Sequence, residues 1–476
     1  MLTKVHNRMI AGSPLNFFDF LGNRTPAEIS QIIDGTFTGD LAVEWTAFRD
    51  ALAAQSAAGI RPHGIIPQCT IRTSASPNFA IDFLRLETHG LPHVRKIGGG
   101  TAMVFDGRGL GLNGFGVRRL SIDPLEATSE TGNSGWQVYW CQMSTFRNMQ
   151  SLGGSFAAFD IRSCVTSYFE CPTASAQPED WVNRPDVVMY VGSITGNTIN
   201  GPSDMQCSWC TFMNPVLEYG KDAGLFMERA IGNLVMGGTA EGNGFGGVGL
   251  GRGLVMATAD CRYNKIIGGT YEFNTGLDIF VFGAVQNGFT DVDTSTGGFS
   301  IENTARYNNV RGGKGVIIEL DATTFLNTVT EVNYLTVTDL SSGVDANRCY
   351  NNSGAAFGLA WHDTDVQSTP AVTTTVGTLT NATAVMRHSL TANGSVQFSV
   401  TVTITDNGTG AGQLTLSLPF DARRKNTFTG TIDTIGSAVV ADVIAGLGVL
   451  RIRNLDGTYP GATGRIITVS GIYERD

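Results

Sequence analysis

The chain has 476 residues, with 60 Gly, 42% hydrophobic residues, only 16% charged residues and a formal net charge of -10. The apolar content is that of a chain that folds, the charged fraction lies well below the roughly 25% of an ordinary domain, and Gly is nearly twice its average usage of about 7%. Gly costs about 1 kcal/mol inside a helix, so a helix-built protein is disfavoured, and without a Gly-X-Y period collagen is excluded. The balance of 32 Lys+Arg against 42 Asp+Glu, with no basic cluster longer than Arg423-Arg424-Lys425, offers little of the counterion release that nucleic-acid binding depends on. No run of about 20 apolar residues occurs, and Met1-Leu-Thr-Lys-Val-His-Asn-Arg8 lacks the apolar centre of a signal peptide. Neither membrane insertion nor export by the usual route is expected.

From the N-terminus, Phe17-Phe-Asp-Phe-Leu-Gly22 predicts a short strand ending in a turn. A helix follows over 40–58: Asp40 can cap it, and Leu41, Trp45, Phe48 and Leu52 fall on one face of a 3.6-residue period. Gly59 ends it, and Arg61-Pro-His-Gly64 leads into an apolar strand at Ile65-Ile66. This is the one helix the pattern predicts. Eight cysteines are scattered along the chain, and only Cys207-Ser-Trp-Cys210 has a metal or redox spacing. It lacks a second Cys pair and a nearby His, and positions i and i+3 of a strand point to opposite faces, so buried free thiols are expected and no metal or other cofactor.

Over 66–362 short strands of Val, Ile, Phe and Tyr are broken by Gly and Asn every few residues. Asn233-Leu-Val-Met-Gly-Gly-Thr-Ala-Glu241-Gly-Asn243 matches Asn264-Lys-Ile-Ile-Gly-Gly-Thr-Tyr-Glu272-Phe-Asn274 position by position, at a spacing of about one β-helix coil. Looser copies stand at Ile97-Gly-Gly-Gly-Thr101, Leu152-Gly-Gly-Ser155 and Asn308-Asn-Val-Arg-Gly-Gly313. Coils of roughly twenty to thirty residues, with Gly and Asn at tight left-handed corners, predict a single-stranded right-handed parallel β-helix of about ten coils between 66 and 350. Asp363-Thr-Asp-Val-Gln-Ser-Thr-Pro370 reads as a linker. Two-residue alternation then appears at Val396, Phe398, Val400, Val402, Ile404 and at Leu414, Leu416, Leu418, Phe420, with turns at Asp406-Asn-Gly408 and Thr409-Gly-Ala-Gly412. Residues 371–476 are expected to form an antiparallel β-sandwich. The fold class is therefore all-β: a short N-terminal segment (1–65) with one capping helix, a parallel β-helix, and a C-terminal sandwich.

This layout resembles the bacteriophage tailspikes of the pectin-lyase-like β-helix type. Met1-Leu-Thr-Lys-Val-His-Asn-Arg-Met-Ile10 and Asn16-Phe-Phe-Asp-Phe20 are similar to the family's opening segment, the Gly-Gly-Thr-x-Glu-x-Asn coils to its repeats, and Leu416-Ser-Leu-Pro-Phe420 and Val469-Ser-Gly-Ile-Tyr473 to its C-terminal sandwich. The family's Gly-Asp-Gly-x-Thr-Asp-Asp signature is replaced here by Leu21-Gly-Asn-Arg-Thr25, and no large attachment domain precedes residue 20. The resemblance implies a homotrimer in the virion tail, joined to a tail or baseplate protein through its N-terminus and acting at the bacterial cell surface. The implied ligand is capsular polysaccharide or O-antigen. Some family members cleave it, as hydrolases or lyases, and others only bind it.

None of the six His lies between 94 and 361, so a His-based triad on the coils is not expected. Glycoside hydrolysis needs instead one protonated and one ionised carboxyl. Glu241 and Glu272 are the first candidates, because the repeat sets them at equivalent points of two coils; Asp278 and Asp260 are the next acids along, and Glu218 and Glu228 stand in reserve. Coils stack about 4.8 Å apart, near the roughly 5–5.5 Å of retaining enzymes for adjacent coils and the roughly 6.5–9.5 Å of inverting ones for alternate coils. The competing reading is architectural, with Thr-x-Glu-x-Asn satisfying backbone donors at a corner. Trp181, Trp209 and Tyr271 are candidates to stack on sugars, and Arg252 and Arg262 (with Lys265) to contact substrate or to neutralise a uronate in a lyase. Seven glycines between Gly242 and Gly253 predict a loop beside Glu241.

Overall fold

The computed structural model describes residues 13–111, 116–175, 183–194, 206–245, 249–295, 297–340, 347–350, 353–357, 366–390 and 395–475. The opening segment Met1-Ile10, Trp181, part of the Gly242–Gly253 loop and residues 363–365 of the expected linker lie outside them, while Val366–Ser368 of that linker is a strand.

Leu15–Asn16 pairs in parallel with His63–Ile66, so the N-terminal segment forms the first rung of the coil. The predicted strand at 17–22 is instead a 3-10 turn over Phe17–Phe20. Asn16 accepts from the Phe18 N–H at 2.9 Å, and the i, i+3 pair Phe17 and Phe20 both meet Phe48, which an extended chain would not allow. A second helix, α1 (Pro26–Asp34), precedes the predicted one and corrects the count. Its signals are plain: Thr25 and Glu28 form a reciprocal capping box, Pro26 occupies the first turn, and Gly35 closes it at φ 75°. Helix α2 (Ala42–Ala57) buries Trp45, Phe48 and Leu52, and Asp40 accepts from the Ala42 N–H at 2.9 Å. It plugs the end of the coil: Trp45 packs on Phe79 at 4.7 Å, and Phe79, Phe105, Phe146, Phe169 and Phe212 carry the ring contacts onward through the interior.

The coils stack into parallel columns. The first has thirteen strands, from Leu15–Asn16 to Arg348–Tyr350. The repeat read from sequence is one coil: Leu234, Val235 and Met236 pair with Lys265, Ile266 and Ile267. Phe212, Val235, Ile266, Phe289 and Val310 take one inward position on successive coils, all with no exposed surface. The corner after this column is left-handed at Asn148, Cys171, Asn214, Gly237, Gly268, Asp291, Gly312 and Glu331. Glycine holds three of these eight corners; at the others a residue with a side chain bears the strain of positive φ. Next to the column runs a buried amide ladder in which Asn233, Asn264, Asn287 and Asn308 each donate from Nδ2 to the Oδ1 of the following Asn, ending at Asn327, at 3.0–3.1 Å. These amides satisfy corner N–H groups that no strand reaches.

The C-terminal unit is one continuous antiparallel sheet of nine strands, not two separate sheets. Its apolar alternation is all inward: Val396, Phe398, Val400, Val402, Ile404, Leu414 and Leu416 are buried in a single core with Met386, Ile452 and Val469. Ser395–Asp406 pairs with Asn381–Leu390 and Arg465–Glu474, whereas Ala411–Ser417 pairs with Val372–Val376 and Val449–Asn454. The Asp406–Gly412 turn therefore carries the chain across the core, folding the sheet over itself as a sandwich.

Candidate active site

Thr239 bridges Val216 on one neighbouring coil and Thr270 on the other. Two residues on, this register stacks Glu218, Glu241 and Glu272 on three successive coils. The Tyr219 N–H donates to the Glu241 carbonyl at 3.1 Å and the Gly242 N–H to the Glu272 carbonyl at 3.4 Å, so the backbone tie continues through the acidic positions. Neighbouring rungs stand about 4.8 Å apart. All three side chains are half-buried, and among the described residues none is paired with a cation. Burial, and then the Glu272 charge, raises the Glu241 carboxyl above the usual range; burial, and then Glu241, does the same for Glu218.

The motif divides its work by face. After each Glu the chain turns left-handed, at Tyr219, Gly242 and Phe273; Asn243 and Asn274 follow and are buried, with Gly220 in the same place on the Glu218 coil. Asn243 accepts from the Gly220 N–H at 2.8 Å and donates to Asn274 at 2.8 Å, and Asn274 donates to Asp278 at 2.9 Å. The Asn thus supports the corner, and the Glu is left free of that duty. Beside the acids stand aromatics that the sequence reading did not single out. Phe273 is 72% and Phe245 56% exposed, Phe245 meets Tyr219 edge-on at 6.1 Å, and Arg184 fastens both by donating to the carbonyls of Tyr219 and Phe245.

The remaining candidates are placed elsewhere. Asp278 has no exposed surface; its carboxylate accepts from Asn274, from Ser295 N–H and Oγ, and from Gly298 N–H, and so braces the corner beneath Glu272. Asp260 follows the six-residue strand Arg252–Ala257, some 15–20 Å of chain beyond the loop at Glu241, and faces Arg229 at 3.9 Å. Tyr271 points into the core, since a strand that turns Glu272 outward turns its neighbour inward. Arg252 lies over the Phe280 ring at 4.1 Å. Arg262 and Trp209 sit at a different corner of the coil, and Trp181 is outside the described residues. Glu228 accepts from Tyr190 Oη at 2.8 Å. It belongs to a second charged constellation, in which Asp160, 3% exposed, binds Arg162 at 2.6 Å and the Tyr139 hydroxyl while Arg162 lies over the rings of Tyr139, Phe156 and Tyr190. Its partners are satisfied within itself, which marks a brace across the paired strands Ser134–Tyr139, Ala157–Arg162 and Val187–Gly192, the outer sheet.

Cys207 and Cys210 are not held apart on a strand in the way their spacing predicts. Trp209 turns left-handed at φ 58°, and the two buried sulfurs meet at 3.9 Å. Among the described residues no three His, Cys, Asp or Glu side chains are grouped to hold a metal, and no helix is long and apolar enough to cross a membrane.

Solved structures with a similar parallel β-helix include phage tailspike proteins and polysaccharide-processing β-helix enzymes. The chain is similar to the Dettilon tailspike protein gp208, at 10% identity and a TM-score of 0.60 over 92% of both chains. It also matches the A-module of the Azotobacter vinelandii mannuronan C-5 epimerase AlgE4 (14% identity, TM-score 0.46, 67% of this chain and 92% of that one). A third match is tailspike protein gp49 of Acinetobacter baumannii bacteriophage Fri1, a capsular polysaccharide depolymerase (10%, TM-score 0.29, 92% and 83%). No protein-family model matches the sequence, and no curated protein matches it. The likeness is one of fold.

Proposed function

We propose that the protein is a phage tailspike that binds bacterial capsular polysaccharide or O-antigen and cleaves it as an endo-glycosidase. The observation that supports this reading is the unpaired stack of Glu218, Glu241 and Glu272, flanked by Phe245 and Phe273. Like charges on successive rungs cost stability, and among the described residues none of the three carboxylates is paired with a cation, whereas a raised carboxyl beside an ionised one is what acid-assisted glycoside cleavage requires. Glu241, its carboxyl raised by burial and by the Glu272 charge, gives its proton to the leaving glycosidic oxygen. Glu272, about one rung away, attacks the anomeric carbon as that bond breaks; water then releases the sugar, with Glu241 returning to its acid form. Asp278 acts as a positioning residue through Asn274. The family layout adds a homotrimer, joined to the tail through the N-terminal segment.

The test is to incubate the protein with purified capsule or O-antigen of its host and follow chain length. Shortening that disappears in Glu241→Gln and Glu272→Gln supports the reading. No shortening of a glycan that the protein binds would leave it a non-catalytic receptor-binding protein, and unsaturated sugar ends would make it a lyase.

A further inference from the structure

The register Ser208–Ile231–Arg262–Val285–Arg306 places Trp209, Gly232, Tyr263, Gln286 and Tyr307 at one left-handed corner of five successive coils, with φ between 58° and 65°. Bulky residues rarely adopt this conformation, although Tyr219 and Phe273 also hold it at the acidic corner. Here the aromatics fall on alternate rungs and face outward: Trp209 is 64%, Tyr263 48% and Tyr307 51% exposed. The rungs between carry Gly232, on whose Cα the Trp209 ring lies so closely that a Cβ would sit 2.8 Å from it, and Gln286. Between Tyr263 and Tyr307 lies an open groove of about 410 Å³. Lys265 and Asn309 extend its two walls, and Gly288 forms its floor; a Cβ at Gly288 would meet nothing within 4 Å.

We infer that this groove is a sugar-binding subsite separate from the acidic stack, gripping one pyranose ring between Tyr263 and Tyr307. Rungs two apart are separated by roughly 9–10 Å, enough for a sugar ring in van der Waals contact with an aromatic face on either side. The carbon–hydrogen faces of the sugar meet the tyrosines, and its hydroxyls meet the amides of Gln286 and Asn309. Lys265, with no carboxylate paired to it among the described residues, suits an anionic substituent on the sugar. A cation and two amides on an aromatic frame match a polar ring better than a second copy of the chain, since contact centres between proteins are depleted in Lys. The strand Lys265–Ile267 and the Gly268–Gly269 corner separate Tyr263 from Glu272 on the same coil, so the groove holds glycan away from the bond being cut.

This inference rests on the glycan-binding reading above, and one experiment separates the two. A panel of purified capsular polysaccharides and O-antigens, with neutral dextran beside them, is titrated against the full chain, Tyr263→Ala/Tyr307→Ala and Gly288→Val. The last variant fills the groove at a strand position with space for it. A bacterial glycan bound by the parent and at least about tenfold more weakly by both variants supports the subsite. Equal binding by Gly288→Val overturns it and leaves the function standing. A parent that binds nothing in the panel overturns both. A changed sedimentation coefficient in either variant makes the corner a contact between chains and overturns the subsite alone.

Discussion

Asn243 and Asn274 are joined by a 2.8 Å hydrogen bond inside the coil, one residue-pair behind the outward Glu241 and Glu272. Each Thr-x-Glu-x-Asn unit thus assigns structure to its last residue and leaves its acid unused by the fold. Replacing the amide should therefore cost more stability than replacing the acid. Asn274→Leu strands the Asn243 amide, the Ala240 carbonyl and one oxygen of Asp278, and should cost about 3 kcal/mol in urea unfolding. Glu272→Leu should cost far less.

Activity should follow the acids. Glu241→Gln and Glu272→Gln are each expected to slow polysaccharide shortening by about 10²–10⁴-fold, read by size-exclusion chromatography of the products. Glu218→Gln, one rung further out, should slow it less. The product anomer, followed by NMR at early times, should retain configuration if adjacent rungs act together.

The acidic stack also sets a pH signature. The carboxyls of Glu218 and Glu241 lie above the usual value of 4.5 in the fold, so the stability associated with them is fully present below that value and is lost as pH rises through their raised values. Glu241→Gln removes this loss. Its melting temperature should exceed the parent's at pH 8 and equal it near pH 4, in matched buffers. A melting temperature lowered at pH 8 would mean that Glu241 supports the fold.

The brace on the outer sheet predicts the reverse. Arg162→Leu leaves Asp160 buried without its cation and removes the charge stacked on Tyr139 and Tyr190. Unfolding should become easier by about 3–5 kcal/mol in chemical denaturation. Arg162→Leu/Asp160→Leu, which removes both charges, should recover much of that loss.

Much of this architecture could be read from residues, and the gaps have physical causes. The 31-residue repeat and the two-residue alternation near 396–420 are legible because every coil and strand must bury the same face. Helix α1 was legible too, in Thr25-Pro26-x-Glu28 and Gly35, but its short apolar face leaves only Ile32 buried. Glu218 escaped the repeat because Leu217 and Tyr219 share no letters with the Glu241 coil; only the register of Val216 with Thr239 aligns them. Tyr271 was misplaced by reading composition where alternation decides. Trp209, Tyr263 and Tyr307 lie at irregular sequence intervals, and become a row only once the coils are stacked.

The amide spine has a further consequence. Its rungs recur after 31, 23, 21 and then 19 residues, yet each makes the same bond at 3.0–3.1 Å. Chain length between rungs is thus decoupled from the spacing of the rungs themselves, and the surplus of the longest coil gathers in the glycine-rich stretch after Glu241. Segments grafted or trimmed there should change the outer surface of that coil while the inner ladder keeps its pitch.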